Sequence, residues 1–264
     1  MLSATGISLL VLVAFLLRFN LWRRDIRGVP ILMYHMISDD VSRTRIPKLR
    51  VSEKRFRAQM AYLHTKGYHP ITLREWLGYR RGSGVCPPKP IIITFDDGYR
   101  NFYSTAWPIL KKHGFKATVF LVTKYVGGSN VWDRAKGEPE EKLLNLDEIK
   151  TLSREGVEFG SHGHNHQDLT GIPLSEVESD VMASKSVLEG ALKTQVVSFS
   201  YPYGKHNAKV RWAVKEAGFL AACVTQPGDN DKNVDPFQLK RIIVKRNDNL
   251  FDFKIKLRKG KSRI

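Results

Sequence analysis

Pro90-Ile-Ile-Ile-Thr-Phe95-Asp96-Asp97-Gly98-Tyr99 is a run of β-favouring residues that ends on two adjacent carboxylates and a turn glycine. Residues 90–95 are apolar on both alternating faces, which is the pattern of a strand buried in a parallel sheet. Asp-Gly alone fits ordinary turn chemistry. Two carboxylates held side by side at a strand end are costly unless a cation complements them. The stretch is therefore a candidate site as well as a strand.

The same reading extends in both directions. Residues 30–34 form a short apolar run ending at His35, and residues 52–66 carry Phe56, Met60 and Leu63 at helical spacing. Thr72-Leu-Arg-Glu75 is a capping box that opens a further helix, and residues 80–90 hold the Gly, Ser and Pro of a loop. Downstream, helices are predicted over 104–112, 145–156, 175–192 and 208–217, the third opened by Ser175-Glu-Val-Glu178. Strands are predicted over 116–122, 157–160, 196–201, 219–225 and 239–244. Strands alternating with helices predict an α/β fold with a parallel sheet, open or closed into a barrel. In such folds the active residues sit at the carboxyl ends of strands.

Three more stretches follow strands directly. Gly160-Ser-His162-Gly-His164-Asn-His166 places three of the eight histidines within five residues. Positions 162 and 166 share a face in a helical turn, and imidazole pairs suit zinc and related divalent ions. A histidine-rich surface loop is the plain alternative. With Asp97, the pair makes two nitrogens and one carboxylate with positions left open, a catalytic rather than a structural arrangement. Ser200-Tyr-Pro202-Tyr203-Gly204 reads either as a site or as a Pro-Gly turn, and His35 either as a site residue or as a core histidine.

Thr94-Phe-Asp96-Asp97-Gly98, followed about 65 residues later by His162-x-x-x-His166, resembles carbohydrate esterase family 4, the polysaccharide deacetylases with the NodB homology domain. Pro30-Ile-Leu-Met-Tyr-His35 and Tyr201-Pro-Tyr-Gly204 resemble its poly-N-acetylglucosamine deacetylase-like branch. The resemblance spans about Val29 to Val244 and implies a distorted (β/α) barrel. It further implies a metal-dependent hydrolase that removes N-acetyl groups from an amino-sugar polysaccharide or glycan. Asp96 would be the base, and Asp97, His162 and His166 would hold a divalent metal, Zn²⁺ first, with Co²⁺, Ni²⁺ and Fe²⁺ as alternatives. The Tyr203 N–H, after Pro202, would hold the oxyanion, and His35 would be the general acid.

The chain departs from the family pattern in three places. Ser200 stands where many members carry the Arg that orients the base, and Arg241 is the candidate replacement. Gly163 stands where Ser or Thr is usual, and the carboxyl-terminal Asp/Trp motif is not recognisable. Other readings are a deacetylase or deformylase of a lipid-linked sugar, an O-acetyl ester hydrolase, and an inactive glycan-binding domain.

Lys plus Arg number 43 against 26 Asp plus Glu, a formal charge of +17. That excess favours acidic surroundings, but no nucleic-acid-binding motif accompanies it, so no nucleic-acid partner is expected. Two cysteines, Cys86 and Cys223, exclude a disulfide framework. The apolar run from Leu2 to Leu17, followed by Arg23 and Arg24, predicts an uncleaved single-pass transmembrane helix over 1–24. The expected organisation is this anchor, a catalytic domain over 28–250, and a basic tail over 251–264. The expected location is a bacterial inner membrane, with the face left open.

Overall fold

The computed structural model describes residues 4–18 and 22–262. In chain order its regular elements begin with α1 (Ala4–Arg18), β1 (Ile31–Tyr34), β2 (Met36–Ile37), β3 (Arg50–Val51), α2 (Glu53–Thr65), β4 (His69–Pro70) and α3 (Leu73–Arg80). Next come β5 (Pro90–Phe95), α4 (Trp107–Lys112), β6 (Thr118–Leu121), α5 (Leu146–Arg154) and β7 (Glu158–Ser161). The chain continues through α6 (Leu174–Leu192), β8 (Ser198–Ser200), α7 (Ala208–Glu216), β9 (Ala221–Cys223), β10 (Ile242–Ile243) and α8 (Leu250–Lys259).

The strands run in the order β10-β1-β5-β6-β7-β8-β9, every neighbour parallel. The two ends of this path meet at Leu239, whose backbone exchanges hydrogen bonds with Ala222 and Val224. The predicted alternation thus closes into an irregular α/β barrel of parallel strands. Its irregularity lies in the short strands and in the few hydrogen bonds on the closing side.

Successive β5 residues join different apolar clusters. Ile91, Ile93 and Phe95 pack outward with the helices, whereas Ile92 packs inward with Ile31, Phe120, Val197, Ala221, Cys223 and Leu239. This is the two-residue alternation of a strand with both faces buried. Leu73, Trp76 and Leu77 of α3 join the inner cluster. Halfway up the barrel, Gly160 leaves room for the Phe120 ring. A Cβ there would lie 2.6 Å from Ser198 Oγ and 2.7 Å from the ring. Gly160→Ala is expected to destabilise the fold by about 1–3 kcal/mol through overpacking, read as a lower urea midpoint at unchanged m-value.

Four expectations are corrected. The predicted helix over 104–112 opens with one π turn (Phe102–Ala106) before α4. Helix α6 starts at Leu174 after Pro173, whose ring pre-sets φ for helix entry, so Ser175 lies inside the first turn. Residues 251–259 of the segment read as a basic tail instead belong to α8, with Phe253 and Leu257 buried in the outer core and Asn249 and Asp252 making a capping box, and residues 263 and 264 lie outside the described residues. Its charges misled because Lys and Arg lie between apolar positions of one amphipathic helix.

The expected transmembrane helix is not supported. Helix α1 has 15 residues, about 22 Å of rise against the roughly 30 Å of a bilayer core. Among the described residues no helix is long and apolar enough to cross a membrane. Residues 1–3 and 19–21 of that segment lie outside the described residues.

Candidate functional site

The carboxyl ends of β1, β5, β7 and β8 lead into His35, Asp96 and Asp97, His162, and Tyr201-Pro202 respectively. The parallel barrel therefore brings together at one mouth the four stretches singled out in the sequence. The turn after β5 is tight. Asp97 has φ 72° and Gly98 φ 73°. Glycine is required at 98, because a Cβ there would lie 2.5 Å from Leu121 Cδ2. The left-handed conformation of Asp97, costly for a non-glycine residue, turns the second carboxylate away from the first.

Asp96 and Asp97 consequently have different partners. Asp96 faces Arg241, with Nη1 to Oδ1 and Nη2 to Oδ2 both 2.7 Å. Arg241 is fully buried. Its remaining N–H groups reach Thr94 Oγ1 at 3.2 Å, Ser200 Oγ at 2.9 Å and the Val224 carbonyl at 3.0 Å. All five guanidinium donors are used, the condition under which a buried charge is tolerated. The guanidinium also lies 5.7 Å above the Phe120 ring, the ring that Gly160 makes room for. Burial alone would raise the Asp96 pKa, but the Arg241 charge and hydrogen bonds, with His162 and His35, hold it below the usual carboxylate value.

Asp97 faces the histidines. Its Oδ1 lies 3.4 Å from His162 Nε2 and 3.3 Å from His166 Nε2, and the three candidate ligand atoms lie within 4.8 Å of one another. Zinc bonds of about 2.0–2.2 Å in a tetrahedron require ligand atoms roughly 3.3–3.5 Å apart, and both Asp97–His spacings fall in that range. Among the described residues the buried Asp97 Oδ1 has no hydrogen-bond partner, as expected of an oxygen reserved for a cation. His162 Nδ1 donates to the Ser200 carbonyl at 2.6 Å, which leaves the Nε2 lone pair free on the Asp97 side. The residues therefore fit a divalent metal. Burial would raise the Asp97 pKa, yet the approach of His166, with the charges of His35 and His162, lowers it well below the carboxylate range.

Burial also pushes the His162 pKa down to about 4. A histidine depressed in the folded state contributes stability fully present above its unfolded pKa of about 6.5. That contribution is lost as pH falls from there towards about 4. In chelator the wild-type chain is expected to lose stability between pH 6.5 and 4, on the order of 3 kcal/mol for this group. Urea titrations of His162→Gln should show a smaller loss across that window.

His166 has φ 55° and is held between two aromatic rings, Trp132 at 4.7 Å and Tyr203 at 4.8 Å between centroids. Pro202 is buried, Tyr203 is exposed, and Tyr203 has φ 59° in a tight turn. The Tyr203 N–H has no acceptor among the described residues. His35 is half-buried at the end of β1, close enough for its charge to act on both carboxylates. His164 lies outside the ligand cluster, with Nδ1 2.9 Å from Thr123 Oγ1. Sequence reasoning missed Trp132, which follows the turn-like Gly127-Gly-Ser-Asn130 and belongs to no periodic pattern. It also missed the Ser200 hydroxyl as a partner of Arg241.

A polysaccharide deacetylase family model matches residues 84–222. A Bacillus subtilis protein named as a polysaccharide deacetylase, YxkH, is 32% identical over 216 residues, covering 82% of this chain and 71% of that protein. The poly-β-1,6-N-acetyl-D-glucosamine N-deacetylase of Staphylococcus aureus is 28% identical over 229 residues, covering 81% of this chain and 74% of its own length. The Streptococcus pyogenes deacetylase PplD has a similar fold. It superposes with a TM-score of 0.75 at 24% identity, over 89% of this chain and 98% of that one.

Proposed function

Since the chain belongs to the polysaccharide deacetylase family, a family of hydrolases, we propose that it removes N-acetyl groups from β-1,6-linked poly-N-acetylglucosamine by metal-assisted amide hydrolysis. The observation that carries this reading is the division of labour between Asp96, bound by Arg241, and Asp97, grouped with His162 and His166. The linkage rests on the likeness to the Staphylococcus aureus enzyme.

Asp97, His162 and His166 would hold the metal. When bound, a divalent ion of this donor set, zinc first, polarises the acetyl carbonyl and lowers the pKa of water. Asp96 accepts the proton of the attacking water. Arg241 keeps Asp96 ionised and fixes its orientation. The unspent Tyr203 N–H is a donor for the developing oxyanion. His35 delivers a proton to the departing nitrogen as the C–N bond breaks, leaving acetate and a free amine.

Acetate release is measured from β-1,6- and β-1,4-linked N-acetylglucosamine oligomers and from a lipid-linked N-acetyl sugar. Activity is expected on the first, lost in chelator and restored by Zn²⁺ or Co²⁺. Preference for the lipid-linked sugar would overturn the polymer assignment, and chelator-resistant release would overturn the metal.

A place at a bacterial inner membrane is proposed on one feature, the exposed apolar side chains Leu9, Leu10, Val11 and Leu12 of α1. A full chain that does not sediment with membranes would refute it, and a chain lacking residues 1–24 that still does would show that α1 is not what holds it there.

A further inference from the structure

The loop that carries both histidines, residues 162–166, has no regular secondary structure of its own, yet its backbone is pinned on two sides. Its carbonyls are taken by the segment after β6. Thr123 N–H donates to Gly163 O at 3.2 Å and Lys124 N–H to His164 O at 3.1 Å. Its amides are taken elsewhere. Gly163 N–H donates to Ser161 Oγ at 3.0 Å. His164 N–H donates to Asp180 Oδ1 at 2.8 Å, and Asn165 N–H to Asp180 Oδ2 at 3.0 Å. Asn165 Nδ2 adds a bond to the same Oδ2 at 2.9 Å.

Asp180 lies on α6 and is 3% exposed. Among the described residues, all three of its hydrogen bonds come from neutral N–H groups of one loop. A buried carboxylate spent in this way is costly as a packing device, whereas two successive amides form a natural anion cradle. Gly163 completes the fit. It has φ 77°, and a Cβ on it would lie 2.9 Å from Asp180 Oδ1. The glycine that departs from the family's usual Ser or Thr is thus the residue that lets this carboxylate approach.

We infer that Asp180 is a positioning residue for the metal centre: it presets the 162–166 loop so that His162 and His166 converge on Asp97 before metal arrives. Without it, metal binding must order the loop, and the affinity falls accordingly. The inference rests on Asp97, His162 and His166 being the ligands.

Zinc binding to the metal-free full chain is measured by competition with a chromophoric chelator for wild type, Asp180→Ala, Asp180→Asn and Val177→Ala. Val177 is buried on the same helix and points to the core rather than the loop. Asp180→Ala is expected to raise the zinc dissociation constant roughly 10- to 100-fold. Asp180→Asn, which keeps the volume and one acceptor oxygen, should fall in between. Val177→Ala should lower the melting temperature at unchanged zinc affinity. Activity of the Asp180 variants should recover largely in excess zinc, and the Co²⁺-substituted spectrum should broaden. Wild-type affinity in both Asp180 variants, or an equal loss in Val177→Ala, would overturn the inference. A wild-type chain that takes up no zinc would overturn the ligand assignment and the inference with it.

Discussion

Asp96→Asn is expected to lower acetate release by about 10²–10⁴-fold, the range for loss of a positioned general base, while zinc stoichiometry stays at the wild-type value. The geometry separates the two effects. The ligand atoms cluster on Asp97, His162 and His166, whereas both Asp96 oxygens are bonded to Arg241. An amide at 96 has no basic lone pair to accept a proton, yet it leaves the ligand cluster intact. Asp97→Asn should behave in the opposite sense and lose zinc first. Metal content by atomic emission, read beside single-turnover acetate release, distinguishes the pair. An Asp96→Asn chain with wild-type turnover would remove Asp96 from the reaction.

Arg241→Met should be the most destabilising change at the site. Arg241 and Asp96 are at most 2% exposed, so removing the cation strands a buried carboxylate. Breaking such a pair costs roughly 3–5 kcal/mol. The kinetic consequence follows from the same charge. With Arg241 gone, burial is left to dominate at Asp96 and its pKa rises. The acid limb of the kcat/KM profile of whatever activity survives should move to higher pH. The double variant Asp96→Leu/Arg241→Met should recover most of the stability, because exchanging both members of a buried ion pair for apolar groups is often neutral. It should recover no activity. Urea denaturation in chelator measures the first expectation and acetate release the second. A double variant no more stable than Arg241→Met would show that the pair is held by more than mutual neutralisation.

Much of the fold was legible because its units are local. The apolar run 90–95 and the capping box at Thr72 are each written within a few residues. Asp97, His162 and His166 were legible for a related reason. In a parallel barrel each strand points its carboxyl end to the same mouth, so motifs that follow strands directly are brought together without further information. Misreadings arose where local pattern had two outcomes. The charged stretch 251–259 suits a solvated tail as well as an amphipathic helix, and only its docking, with Phe253 fully buried, decides for α8.

What the sequence by itself determined, then, is the strand–helix alternation and the residues poised at the strand ends, because both depend on near-neighbour chemistry. Tertiary structure alone decided which distant partner each carboxylate meets. Asp96 and Arg241 are 145 positions apart and meet only because Leu239 bonds across to Ala222 and Val224 and closes the barrel, carrying Arg241 inside it. The same holds for Trp132 against His166 and for Asp180 beneath the histidine loop. These contacts depend on how distant elements pack, and no periodicity along the chain encodes them.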